Sequence, residues 1–168
     1  SKGAELALAL ASHDASIDAV VALAPSDTVF PAHTDAMTTA SWSLDGEPLP
    51  FAPMPWAATW DLLRGDIGAV MERILAQPEA DAARLPVERI RGPVLLVSSN
   101  RDEMWPAQRM AERMMARLDA AKFAHAHEHL AVEGSHTAVV DHFDAVEDFL
   151  ARRVATLPQC SGTTASAP

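Results

Sequence analysis

Apolar positions along this chain fall into two kinds of pattern, short unbroken runs and longer helical stripes, and the two alternate. Residues 3–12, Gly-Ala-Glu-Leu-Ala-Leu-Ala-Leu-Ala-Ser, are rich in Ala and Leu, the strongest helix formers. Being apolar on most sides, they predict a buried helix. Residues 19–24, Ala-Val-Val-Ala-Leu-Ala, form a continuous apolar run ended by Pro25, the pattern of a parallel strand buried on both faces. From there to Pro55 the chain carries Pro31, Pro48, Pro50, Pro53 and Pro55. A long helix cannot accommodate them, so this stretch is predicted to be an unusually long loop. Its aromatics Phe30, Trp42 and Phe51 argue that it packs against the fold.

Helical spacing resumes over residues 56–63 and 67–76, where Ile67, Val70, Met71, Ile74 and Leu75 share one face ahead of Pro78. Residues 94–98 read as a second buried strand, launched by Gly92-Pro93. Pro106 suits the first turn of a helix, and Met110, Ala111, Met114 and Leu118 carry its apolar face to about Ala121. Residues 127–132 make a third strand, followed by the turn Glu133-Gly134-Ser135-His136. A last helix is expected over residues 141–154 on the spacing of Phe143, Val146, Phe149 and Leu150. Residues 158–168 are rich in Ser, Thr, Ala and Pro and are expected to be a disordered tail. No internal repeat is visible. Alternating helices and buried strands predict an α/β domain over residues 1–157, a parallel sheet flanked by helices.

Composition narrows the function classes. The 168 residues are 49% apolar and 21% charged, as in ordinary soluble domains. The net charge of −10 argues against nucleic acid as a partner, because phosphate binding needs clustered Lys and Arg. No apolar run approaches the ~20 residues of a membrane span, and no signal peptide is visible. Cys160 is the sole cysteine, which excludes an intrachain disulfide and a Cys-based metal site and points to a reducing, cytoplasmic setting.

Three residues could carry chemistry together. Ser1 opens the chain in Ser1-Lys2-Gly3, Asp102 follows the second strand, and His136 follows the third. Serine, acid, histidine is the chain order of an α/β-hydrolase triad, and Ser-x-Gly is the second half of its Gly-x-Ser-x-Gly elbow. A nucleophilic Ser needs a base for its proton, and the base needs a carboxylate to fix its tautomer. In a doubly wound sheet such groups gather where strands end. On this reading the chain begins at the nucleophile, and the strand leading into it lies upstream. Other readings stay open: Asp102 as a helix cap or as the partner of Arg101 in a surface ion pair. His125, His127 and His129 share a strand face, but Glu128 points to the other face and no Cys completes a set, so no metal is expected. Met110, Met114 and Met115 read as core filler. Trp42, Trp56 and Trp60 either line a pocket or pack the long loop.

Longer segments carry a resemblance. Residues 86–97, Pro-Val-Glu-Arg-Ile-Arg-Gly-Pro-Val-Leu-Leu-Val, run into Asp102-Glu103-Met104-Trp105-Pro106; residues 41–51 read Ser-Trp-Ser-Leu-Asp-Gly-Glu-Pro-Leu-Pro-Phe; residues 1–8 read Ser-Lys-Gly-Ala-Glu-Leu-Ala-Leu. Together, over Ser1 to about Val154, they resemble the C-terminal catalytic domain of acyl-CoA thioesterases and bile acid-CoA:amino acid N-acyltransferases. The resemblance implies the C-terminal part of an α/β-hydrolase, with Ser1 as nucleophile, Asp102 as orienting acid and His136 as base. It also implies that the first strands of the sheet and an immunoglobulin-like domain lie in a missing N-terminal region of the same protein. Ser rather than Cys at the nucleophile fits the hydrolytic members. The expected substrate is then a small-molecule acyl-CoA or ester, cleaved without a cofactor. Lys2 N–H would be one oxyanion donor, and the second would come from an earlier strand–helix loop. The alternatives are a dienelactone-hydrolase-like carboxylesterase and a non-catalytic fragment that packs against another chain. A hydrolase using the Ser1 α-amine as base is disfavoured, because a helix follows Ser1. Taken alone, the 168 residues are expected to be inactive on acyl-CoA and, through the unpaired edge of the 19–24 strand, to aggregate or require a partner.

Overall fold

The computed structural model describes residues 1–34 and 37–154. In chain order its elements are α1 (Lys2–His13), β1 (Val20–Leu23), β2 (Ser43–Leu44), β3 (Glu47–Pro48), α2 (Thr59–Leu63), α3 (Ile67–Leu75), α4 (Pro78–Ala82), β4 (Val94–Ser99), α5 (Ala107–Ala120), β5 (His127–Val132) and α6 (Phe143–Arg153). Short 3₁₀ turns occupy Trp56–Ala58, Val87–Arg89 and His136–His142.

β1, β4 and β5 form one sheet in the order β1-β4-β5, with both pairings parallel. Val20 pairs with Val94 and Val94 with His127, so the three strands start level and end on the same edge. One face carries Val20, Ala22, Val94 and Leu96 against α1 and α5, through Leu8, Ala111, Met114 and Leu118. On the other, Leu95, Val97 and Val132 pack against Val139 and against Val146 and Phe149 of α6. A third cluster joins α3 and α4 to Phe30, Trp105 and Met110 beyond the strand ends. Burying each of the larger side chains is worth ~1.5–3 kcal/mol, and β4 is buried at every one of its residues.

The parallel α/β order predicted by the alternation is present, and several details differ. β1 is fully buried only at alternate residues, with Val21 and Leu23 half-buried. It lies at the sheet edge and its second face is only partly covered. The helix predicted to be buried has an exposed side at Leu10 and His13, whereas the polar Glu5 on it is fully buried. The proline-rich stretch holds a small hairpin, β2–β3. Asp45-Gly46 turns it with φ of +52° and +85°, the mirror-image turn that matches strand twist. Pro78 opens a separate short helix, α4, as an N1 proline can. The expected tail, residues 158–168 with Cys160, lies outside the described residues. No helix among the described residues is long and apolar enough to cross a membrane.

α6 is held to β5 by charge as well as by packing. Arg152 donates to both oxygens of Glu128 at 3.0 Å, and Arg153 Nη2 reaches Oε1 at 2.9 Å. The Arg152 hydrogen bond, with Arg153 adding to it and desolvation opposing it, holds the Glu128 carboxyl at about 2 against an ordinary 4.5. A depressed carboxyl pKa stabilises the fold above the unfolded value and loses that contribution as pH falls through the folded one. The stability gap between the native protein and Glu128→Gln is therefore expected in full above about pH 5, shrinking from 4.5 downward and gone near pH 2. Urea midpoints of both proteins across that range check it. A gap that is flat with pH contradicts the assignment.

Candidate active site

Because β1, β4 and β5 run parallel, the segments leaving them emerge at one edge. Asp102 stands three residues after β4 and His136 four residues after β5. Ser1 is brought to the end of β1 by its terminal amino group, which donates to Leu23 O at 2.6 Å. The three residues singled out in the sequence thus lie along one sheet edge.

Asp102 and His136 are in direct contact: Nδ1 of His136 lies 2.8 Å from Oδ2 of Asp102, and both side chains are buried. An ionised carboxylate only accepts, so Nδ1 carries the hydrogen and Nε2 is left as the acceptor of the neutral ring. The other carboxylate oxygen, Oδ1, accepts the backbone N–H groups of Met104 and Trp105 at 2.9 and 3.2 Å. That turn fixes Asp102 before α5 begins. His136 N–H donates to Glu103 Oε2 at 2.9 Å, and Trp105 meets the imidazole edge-on at 5.4 Å while stacking on Phe30. Arg101 forms no ion pair with Asp102 among the described residues; the carboxylate faces the histidine. No hydrogen bond among the described residues joins Ser1 Oγ to His136 Nε2, and Ser1 Oγ makes no cap bond to its own helix.

Ser1 instead opens onto a cavity of about 400 Å³. Lys2, His33 and Thr34 line it beside Ser1, and Met71, Met104 and Trp105 are among its apolar walls. Lys2 is the first residue of α1, where helical geometry leaves backbone N–H groups without intrahelical acceptors. Its side chain turns to a buried partner: Nζ donates to Glu5 Oε1 at 2.7 Å and to Phe30 O at 3.0 Å. Trp42 Nε1 also donates to Glu5 Oε1, at 2.7 Å, and Phe30 N–H to Oε2, at 3.3 Å. Burial raises the Glu5 carboxyl and lowers the Lys2 ammonium from their ordinary values, against their mutual attraction. Glu5 was not singled out in the sequence. The signal available was its spacing three residues after Lys2, which places both on one helix face.

The tryptophans divide: Trp42 packs the long loop as expected, and Trp56 and Trp60 do neither. Trp42 packs against the core and bonds Glu5, while Trp56 and Trp60 are 91% and 69% exposed and line no part of the cavity. Trp105 is the one that lines it. His127 bonds Asp119 and the His125 carbonyl, and His129 bonds Ser98 at 2.8 Å. Among the described residues no group of His, Cys, Asp or Glu is arranged to hold a metal. Met110 and Met114 are buried in the core and Met115 packs against it.

A sequence family described as BAAT / Acyl-CoA thioester hydrolase C terminal matches residues 1–137, a span that includes all three residues at the sheet edge. No curated protein matches the sequence significantly. Among solved structures, Pyrococcus horikoshii acylaminoacyl peptidase (orthorhombic crystal form) is similar over 95% of this chain and 24% of its own, with a TM-score of 0.56 and 10% identity. DcsB in complex with its substrate analogue is similar over 90% of this chain and 62% of its own, with a TM-score of 0.43 and 15% identity. The likeness to the peptidase shows the fold, that of an α/β-hydrolase, and the chain spans about a quarter of that peptidase's length.

The turn that presents His136 depends on Gly134. Its φ is +133°, and a Cβ there would stand 2.5 Å from Ala138 Cβ. Gly134→Ala is expected to cost about 1–3 kcal/mol of stability, the usual price of such backbone strain. Adding Ala138→Gly should recover part of that loss by removing the clash while the strain remains. Urea denaturation of the single and double variants checks this. Equal stability of Gly134→Ala and the native protein contradicts it.

Proposed function

The chain belongs to the BAAT / acyl-CoA thioester hydrolase C-terminal family, and on that premise we propose that it carries the triad of a serine hydrolase acting on acyl-CoA thioesters. The observation that most supports this is the Asp102–His136 contact at 2.8 Å, on the sheet edge where Ser1 opens onto a largely apolar cavity. The single cysteine further favours a reducing, cytoplasmic setting.

In this reading Ser1 Oγ passes its proton to His136 Nε2 and attacks the thioester carbonyl, forming a tetrahedral oxyanion. Lys2 N–H donates to that oxyanion. Collapse breaks the C–S bond, and the CoA sulfur leaves with the proton held by His136. Water then gives a proton to His136 and its oxygen to the acyl carbon, and the acid departs as Ser1 Oγ regains its proton. Asp102 keeps Nδ1 protonated throughout and stabilises the imidazolium. The cavity beside Ser1 takes the acyl group, whose apolar surface matches its walls.

In the natural protein at its full length, Ser1→Ala, His136→Ala and Asp102→Asn are each expected to lower turnover of acyl-CoA by roughly 10³–10⁴-fold, with circular dichroism unchanged. Release of free CoA thiol measures it. Native-level turnover by His136→Ala would reject the triad. Cleavage of simple esters with none of acyl-CoA would favour the carboxylesterase alternative.

A further inference from the structure

The cavity beside Ser1 has two kinds of wall. Ser1, Lys2, His33 and Thr34 are polar, whereas α3 contributes only apolar groups, Ile67, Val70 and Met71. Val70 and Met71 are 0% and 3% exposed, and behind them lies the cluster of Phe30, Ile74 and Met110. An acyl chain reaching these two residues therefore meets packed core with no space beyond.

α3 is a short helix, yet it is held at both ends and on its outer side. Asp66 caps it by accepting from Ala69 N–H at 3.0 Å. Arg73 pairs with Asp61 of α2, and Glu72 pairs with Arg109 of α5 at 2.7 Å. Gly68 lets the helix lie close to the loop carrying Asp102: a Cβ there would be 3.0 Å from Glu103 O. With Val70, Met71 and Ile74 packed in the core, this wall resists retreat to admit a longer chain. Charge is the second restriction. Among the described residues Lys2 is the sole Lys or Arg lining the cavity, and its Nζ is engaged by Glu5 and Phe30. An ionised group carried past the polar side to α3 would meet only Ile67, Val70 and Met71 there, and burying an unpaired charge is costly.

We propose that α3 measures the substrate: Val70 and Met71 set the longest acyl chain the site accepts, and the chain must be apolar to its far end. This rests on the thioesterase reading above and adds which acyl groups that site selects. Against an apolar wall each excess methylene costs roughly tenfold or more in kcat/KM.

The test uses the natural protein at its full length and a series of saturated acyl-CoAs of rising length, with an ω-carboxyl acyl-CoA at the preferred length. Within each variant the ratio of kcat/KM for the longest accepted chain to that for a short chain is measured, so the amount of folded protein cancels. Val70→Ala should raise that ratio about tenfold by opening space, and Val70→Ile should lower it about tenfold by removing space. Val70→Ile, the smaller disturbance, carries the test alone if Val70→Ala does not fold. The ω-carboxyl substrate should be turned over at least tenfold more slowly than its plain counterpart. Ratios unmoved in Val70→Ile, or equal turnover of the ω-carboxyl substrate, overturn the proposal while leaving the thioesterase reading intact. Absence of turnover on every acyl-CoA by the native protein would instead reject that reading and the proposal with it.

Discussion

β4 is the strand on which the rest of the molecule depends. It is hydrogen-bonded to β1 on one side and β5 on the other, both in parallel register, and it is buried along its whole length. Parallel pairing gives all three strands the same direction, so whatever follows them appears at one edge. Leu96 points into the cluster shared with α1 and α5, and Leu95 and Val97 into the one shared with α6. A one-residue slip of β4 would exchange those faces and would separate Asp102 from His136. The register therefore fixes the site as firmly as it fixes the core.

Beyond the strand ends, the two loops that carry Asp102 and His136 are bound to each other. Arg101 N–H donates to Gly134 O at 3.1 Å, Gly134 N–H to Asn100 Oδ1 at 3.3 Å, and His136 N–H to Glu103 Oε2 at 2.9 Å. The Asp102–His136 hydrogen bond closes the set. Hydrogen bonds to backbone groups thus hold Asp102 and His136 in place, the kind of support a precise site requires. α1 is anchored by another route, through the buried Glu5 that gathers Lys2, Trp42 and Phe30. Breaking such a pair by removing one partner costs about 3–5 kcal/mol in buried settings, so α1 cannot drift freely from the sheet.

The sheet was legible from short apolar runs beside Pro25 and Gly92-Pro93, at residues 19–24 and 94–97, with β5 marked by the stretch before the Gly-Ser-His turn. Asp102 and His136 were legible because each follows such a strand closely. What the sequence did not reveal was tertiary in origin. Nothing local marks Glu5 as buried, since its burial depends on Trp42 and Phe30 folding back over α1. Aromatic content could not distinguish the exposed Trp56 and Trp60 from Trp105, because only the stacking on Phe30 sets Trp105 into the cavity wall. Helical spacing identified the apolar face of α3, yet not that this face borders a cavity. Asp45-Gly46 carries a local turn signal, and both residues take positive φ in the hairpin.

The central claim is that Ser1 is the nucleophile served by His136 and Asp102, and it is tested most directly by trapping the acyl-enzyme. The natural protein is mixed with a radiolabelled acyl-CoA, quenched in acid within one turnover and digested, and the acylated peptide is sequenced by mass spectrometry. The account predicts an acyl group esterified to Ser1, and its absence when His136 is replaced by Ala. Acylation at another residue, or free acid formed in a single turnover while the Ser1 peptide stays unmodified, would contradict it.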